Sequence, residues 1–347
     1  MRQEVSKQER EALQMEQWIN EMFTDERLAE AAALFGADAK QAIQRGDFEN
    51  YVYEVEKDGK PFMLRLTHTS HRSKEQVVAE LEWVNDLHDR GMNVSLNHLS
   101  TAGNLVEEIS LEQGSFLVCL FDKAPGTSAY ELRNEFTDKH IEAWGELTAR
   151  FHQAASDYNK KNGSRPHWYE DDLIEIENWL DPELDKEIIE LNHHIVSTIR
   201  NFDTSKDVYG IIHSDIHQGN FFIDGAELHV FDFDDTMHFH YIHDVSIPLY
   251  YTIWMSYRNE PLSIRSEKAT AFFEVFYRGY TRIRPLEKEW LERIPLYLTL
   301  RDLTLYAVFH KKVDFDEEPE LRPLVEWLGE RLRRNEPIAE VDFSKLY

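Results

Sequence analysis

The residues best suited to chemistry crowd into one stretch, IIHSDIHQGNFFIDGAELHVFDFDD, from Ile211 to Asp235. Two apolar runs, Gly210 to Ile212 and Leu228 to Phe231, are followed closely by Asp215 and Asp232, and Asn220 stands between them just before a third short run. Runs this short and apolar predict strands of a small sheet, which would bring the three groups to one edge. A carboxylate that orients and deprotonates an attacking hydroxyl, with carboxylate and amide oxygens to hold magnesium against phosphates, is the kit that phosphoryl transfer needs. A nearby dication favours the ionised carboxylate that both tasks require.

His213, Asp215, Asn220 and Asp232 follow the order His-x-Asp-x-x-x-x-Asn, apolar strand, Asp. In these residues the sequence resembles the aminoglycoside phosphotransferase and choline kinase-like enzymes of the protein-kinase-like superfamily. The resemblance implies that Asp215 is the catalytic base, that Asn220 and Asp232 are magnesium ligands, and that His213 braces the catalytic loop. It implies ATP and Mg2+ as cofactors and the hydroxyl of a small molecule, such as an amino-alcohol or amino-sugar, as the acceptor. Asp244 in YIHDVSIPLYY matches a family Asp that opens a helix and pins the loop. The segment from Gly46 through Asn50 to Tyr53 resembles the loop that covers the nucleotide, and Phe116 to Phe121 would offer backbone groups to adenine. Arg65 in FMLRL stands where the kinase pattern has a Lys on the α- and β-phosphates; it keeps the charge and adds a bidentate fork. Lys60 and Lys74 are alternatives that fall in turn or loop. Glu80 is expected to pair with Arg65, with Glu82 as fallback, because residues two apart on a helix face different ways.

Elements that could position these groups are legible from pattern. A charged periodic segment over residues 4–23 predicts a helix. YVYEVEKDGKPFMLRLT alternates around Lys57-Asp58-Gly59-Lys60 as a β-hairpin does. SKEQVVAELEWVNDLHDRG predicts an amphipathic helix stopped by Gly91, and LSTAGNLVEEI and GSFLVCLFD predict further strands. After Asp122-Lys123-Ala124-Pro125-Gly126 the helical candidates cover residues 138–158, 184–200, 244–257, 266–282, 287–312 and 320–334. The expected fold is α+β and protein-kinase-like. A nucleotide-binding lobe with an antiparallel sheet, residues 1–122, would precede a larger, mostly helical catalytic and substrate lobe, residues 123–347.

The 65 acidic against 38 basic residues give a formal net charge of -27. Such a field repels nucleic acid and anionic membrane surfaces and tilts the acceptor toward a cationic or amino-bearing alcohol. Cys119 is the only cysteine, which rules out an intrachain disulfide, and no stretch approaches the roughly 20 apolar residues of a membrane span. A cytoplasmic protein is expected.

Three rival readings use the same residues. Asp232, Asp234 and Thr236 match the opening Asp-x-Asp-x-Thr of haloacid-dehalogenase-like phosphatases, where the first Asp is a nucleophile. His213, His217, His229, His238, His240 and His243 invite a metal cluster. A catalytically inactive binding module of the kinase-like fold is the third.

Overall fold

A computed structural model of the chain describes residues 17–47, 49–132, 135–158 and 165–346. Most of the helix expected over residues 4–23, and Phe48 of the expected nucleotide loop, lie outside the described residues. Helix α1 (Asp25–Leu34) begins at Thr24, whose side chain accepts from the Arg27 N–H, and buries Leu28, Ala31 and Ala32. Strand β1 (Asp38–Gly46) follows and pairs with β2 (Asn50–Lys57). The hairpin of β2 with β3 (Lys60–His68) sets Lys57 opposite Lys60. Its turn residues Asp58 and Gly59 have φ of 51° and 72°, the left-handed values a tight hairpin turn needs.

Strands β4 (Asn97–His98), β5 (Glu107–Ser110) and β6 (Ser115–Asp122) complete an antiparallel sheet of order β1-β2-β3-β6-β4, with β5 also on β6. Most of the strand expected over residues 99–109 is loop, which turns at Gly103 with φ 85°. On β6 the period of two sends Phe116, Val118 and Leu120 toward α1 with Leu64 and Leu66. Leu117 and Cys119 face helix α2 (Lys74–Asp89) with Val77 and Leu81. Both faces are covered, so β6 reads as an unbroken apolar run. Arg65, between Leu64 and Leu66, is thereby turned to the α2 side.

Ser73 and Gln76 form a reciprocal capping box at the start of α2. The far end of the helix inserts Trp83, Val84 and Leu87 into the core of the helical lobe. Backbone bonds from Ser95 to Val230 and from Val230 to Asn93, at 3.0 and 2.9 Å, stitch the same region to the second lobe. Residues 123–126 link the end of β6 at Asp122 to Thr127–Ser128, which pairs in a second sheet. Gly126 has φ 93°, and a Cβ there would sit 2.2 Å from the Ile223 carbonyl oxygen, so only glycine allows this approach.

The second lobe holds two small antiparallel sheets: β7 (Thr127–Ser128), β9 (Phe221–Asp224) and β10 (Glu227–Val230) in the order β10-β9-β7, and β8 (Tyr209–Ile212) with β11 (Met237–His240). Around them lie α3 (Asp138–Ser156), α4 (Lys186–Arg200), α5 (Tyr241–Tyr257), α6 (Leu262–Thr281), α7 (Ile294–Lys312) and α8 (Arg322–Arg333). The helix expected over residues 287–312 is divided. A single turn, Lys288–Leu291, is followed by α7, which restarts with Pro295 in its first turn, where the missing N–H is harmless. Helix α5 is buried over most of its length and forms the axis of the lobe. Asp302 of α7 takes a buried ion pair from Arg331 of α8 at 2.6 Å and a hydrogen bond from Tyr250 of α5 at 2.8 Å, which locks three helices together.

Candidate active site

The loop between β8 and β9 is built around Asp244, in the first turn of α5. Its carboxylate accepts the backbone N–H groups of His213 and Ser214 at 2.9 and 2.7 Å. Burial pushes Asp244 up, but the hydrogen bond and charge of His152 outweigh it and hold the carboxyl below its ordinary range. His213 accepts the Asp215 N–H at Nδ1, 3.3 Å, so Nε2 carries the hydrogen and donates it to the Phe231 carbonyl at 3.2 Å. Burial lowers the pKa of His213 and favours this neutral form. The imidazole thus fastens the Asp215 loop to the end of β10. Ser214 and Asp232 have φ of 73° and 64°, two of the four non-glycine residues in the left-handed region among those described. Such strain persists where the surroundings over-determine it and gathers at functional sites.

Asp215 accepts several donors. Asn220 gives its amide N–H to the Asp215 carbonyl at 2.9 Å and to Oδ2 at 3.3 Å. His217 accepts the Gly219 N–H at Nδ1, 2.8 Å, and turns Nε2 to Oδ2 at 3.2 Å. Arg301 of α7 donates to Oδ1 at 2.9 Å and also to the Tyr251 hydroxyl. Burial pushes Asp215 up, but His217 and Arg301 hold it well below the usual carboxylate range. The base candidate is therefore ionised at neutral pH.

Asn220 spends its amide nitrogen on Asp215, which leaves its side-chain oxygen for a cation. Asp232 opens into the cleft, yet protein surrounds it and Asp234 lies close; desolvation and that neighbouring charge push it up to about 7. An amide oxygen beside a carboxyl poised to ionise is an all-oxygen donor set of the kind Mg2+ selects, so these residues fit the ion.

On the sheet side, Arg65 and Glu80 form a bidentate pair, both N–O distances 2.7 Å, with both side chains at most 5% exposed. Burial works against the guanidinium charge, and the Glu80 carboxylate overcomes it. Glu82 lies instead near Tyr158. Lys60 is exposed at the hairpin turn, and Lys74 makes a surface pair with Glu108 at 3.4 Å. Asn50 starts β2 and accepts the Thr67 hydroxyl. Gly46 ends β1, and a Cβ there would meet only Val52 at 3.9 Å, so sterics do not demand glycine.

Sequence reasoning missed a clasp across the cleft. His71 and Arg72, between β3 and α2, reach Asp234 at 2.8 and 3.4 Å, Arg72 also reaches Asp235 at 2.9 Å, and Glu49 meets His71 at 3.1 Å. The loop tip, the first lobe and the Asp232 segment are joined in this way. Glu49, His71 and Asp234 place ligand-type atoms within 4.8 Å of one another. Arg72 and Arg65, 3.4 and 3.8 Å from Asp234, already supply the positive charge there and would repel a cation. Burial pushes Asp234 up, but these arginines and His71 hold it far below the usual range. Arg301 and Tyr251 were also missed. The only local signal for His71 and Arg72 is a basic pair in a polar loop right after a strand.

Two rival readings lose their geometry. The strand before Asp232 belongs to a three-stranded antiparallel sheet, not to the alternating strand-and-helix domain that the phosphatase motif opens. The histidines expected as a possible cluster do not converge on one point among the described residues.

Residues 41–286 match the phosphotransferase enzyme family, and the chain belongs to that family. Over 333 residues it is 31% identical to an amicoumacin kinase of Bacillus subtilis (strain 168), a match covering 94% of this chain and 98% of that one. The structure is similar to that of an amicoumacin kinase in complex with AMP-PNP, Ca2+ and Ami, with a TM-score of 0.88, 29% identity, and coverage of 96% of this chain and 100% of the other. A microcompartment-associated aminopropanol kinase shares the fold at a TM-score of 0.70 and 18% identity, over 90% of this chain and 98% of that one. The fold is thus the two-lobed kinase-like one, and the chain is a kinase-like phosphotransferase acting on small molecules. Among the described residues no helix is long and apolar enough to cross a membrane.

Proposed function

We propose that the chain transfers the γ-phosphoryl group of ATP to a hydroxyl of a small molecule, with Asp215 as base and Asn220 and Asp232 as Mg2+ ligands. The observation that carries this reading is the shared frame of the three groups. The Asn220 side chain donates to the Asp215 carbonyl at 2.9 Å, and the Asn220 backbone carbonyl accepts the Phe231 N–H at 3.0 Å, one residue before Asp232. In this reading residues 1–122 bind the nucleotide and residues 123–347 hold the catalytic groups and the acceptor.

Magnesium, when bound, draws charge from the transferring phosphoryl group. The chain's own groups do the rest. Asp215, ionised and held by three side chains, orients the acceptor hydroxyl and takes its proton as the oxygen attacks. Arg65, oriented by Glu80, supplies fixed positive charge on the phosphate side of the cleft. His213 and Asp244 keep the loop in register, so geometry is set before substrates arrive. The likeness to amicoumacin kinases makes amicoumacin the first acceptor to try, with amino-alcohols and amino-sugars after it.

The test is ADP release from ATP and Mg2+ over that panel, with Asp215→Asn as the blank. Acceptor-dependent ADP release that the variant lacks supports the proposal. Equal release by the variant, or none by the unmodified chain with any acceptor, sinks it.

A further inference from the structure

Asp215 is shared unevenly among its partners. Oδ2 faces two donors, Asn220 at 3.3 Å and His217 at 3.2 Å, whereas Oδ1 faces one, Arg301 at 2.9 Å. A carboxylate oxygen accepts two hydrogen bonds with ease, so the free position for an incoming hydroxyl is on Oδ1. That hydroxyl then docks beside Arg301. The guanidinium spends both hydrogens of Nη2 on Asp215 and the Tyr251 hydroxyl. Its Nε is sealed from solvent with no partner, and the hydrogen bonds of its outer nitrogens to Asp215 and Tyr251 both run through Nη2. Arg301 also lies beyond residue 286, where the match to the family ends.

We propose that Arg301 is a specificity-determining positioning residue that donates to an oxygen on the acceptor carbon next to the reacting hydroxyl. This deepens the phosphotransfer reading above and rests on it. A hydroxyl, carbonyl or carboxylate oxygen in that position accepts from Nη1, the end of the guanidinium not spent on Asp215 and Tyr251. A protonated amine in the same position meets a guanidinium that never loses its charge and is rejected. The amino group of an amino-bearing acceptor therefore lies farther from the reacting carbon. Tyr251, whose ring lies 4.6 Å from that of His217 and which accepts from Arg301, keeps the guanidinium from swinging away.

The test uses the full chain, its Arg301→Lys and Arg301→Ala variants, ATP with Mg2+, and three acceptors: amicoumacin, propane-1,2-diol and 1-aminopropan-2-ol. Melting curves first confirm that each variant folds; Arg301→Lys, which keeps charge and length, serves if Arg301→Ala does not. Expected in Arg301→Ala is a rise of at least about tenfold in the acceptor KM, the loss of one charge-assisted hydrogen bond. The KM for ATP changes less than about twofold, Arg301→Lys falls between, and added guanidinium chloride restores part of the Arg301→Ala loss. The unmodified chain prefers the diol to the amino-alcohol, and Arg301→Ala narrows that preference. Equal rises in both KM values, no rescue, or preference for the amino-alcohol overturns the assignment of Arg301 and leaves the phosphotransfer reading standing. If the unmodified chain consumes no ATP with any of the three acceptors or with the amino-sugars of the panel above, both are overturned.

Discussion

Asp232 offers the sharpest test of the metal side of the site. Its carboxyl, pushed up to about 7, is mostly protonated at pH 6 and mostly ionised at pH 8. A carboxyl with that pKa is roughly one-tenth ionised at the lower pH and nine-tenths at the higher, so a dication that requires the ionised form should bind up to about tenfold more tightly at pH 8. Solvent in the open cleft screens part of this, which makes tenfold the upper end. Mn2+, an oxygen-seeking stand-in for Mg2+, permits direct titration by electron paramagnetic resonance without nucleotide, whose own phosphates titrate in the same range. In Asp232→Asn the affinity should be weaker and nearly flat with pH. The same group acts on stability with the opposite preference. A pKa raised by folding stabilises the protein below the ordinary carboxylate range, and that contribution is lost as pH rises through about 7. Metal-free Asp232→Asn should therefore melt above the unmodified chain at pH 8, by about 2 °C for an effect on the order of 1 kcal/mol after solvent screening. At low pH the difference should vanish. Equal Mn2+ affinity at pH 6 and 8, or an Asp232→Asn variant that keeps the full pH slope, would refute both the ligand role and its electrostatic cause.

Three further outcomes follow from named contacts. Asp215→Asn should lower turnover at least about a hundredfold while nucleotide affinity, read by calorimetry, stays within a few-fold, as for loss of a base alone. Glu80→Ala leaves Arg65 buried and unpaired and should cost about 3–5 kcal/mol of stability in urea titrations, with Glu80→Gln milder; a midpoint that does not move would show that the pair is not closed in solution. For His71, burial lowers the pKa, but the Asp234 charge and hydrogen bond outweigh it and leave a net rise. The stabilisation is thus complete below its ordinary value of about 6.5 and fades as pH climbs through the raised one. His71→Gln should trail the unmodified chain more at pH 6 than at pH 8.5, and an identical gap at both would remove the His71–Asp234 pair from the account.

How far the site was legible depends on sequence distance. His213, Asp215, Asn220 and Asp232 fall within one strand-turn-strand segment, where short-range periodicity fixes which groups share an edge. Arg65 and Glu80 were readable together because strand alternation and one amphipathic helix were enough to face them. Helix α1 and strand β1 went unread, since an alanine-rich stretch and a polar edge strand carry little periodic signal of their own. The partners Arg72 and Asp235 are 163 residues apart, and Arg301 and Asp215 are 86 apart. Nothing local joins either pair; the packing of lobes and helices does.

Arg301 shows why such residues hide. In LTLRDLTL it stands next to Asp302, and an adjacent opposite pair in a helix reads as a solvated surface. Successive helical residues point about 100° apart, so on a helix covered on several sides the two charges serve different places. Asp302 turns to Arg331 and closes a buried lock at 2.6 Å; Arg301 turns to Asp215 at 2.9 Å. A shift of α7 large enough to release the lock would also carry Arg301 away from Asp215. If Arg301 positions the acceptor as proposed, the packing of α8 against α7 acts on acceptor choice through the Asp302–Arg331 lock rather than by direct contact.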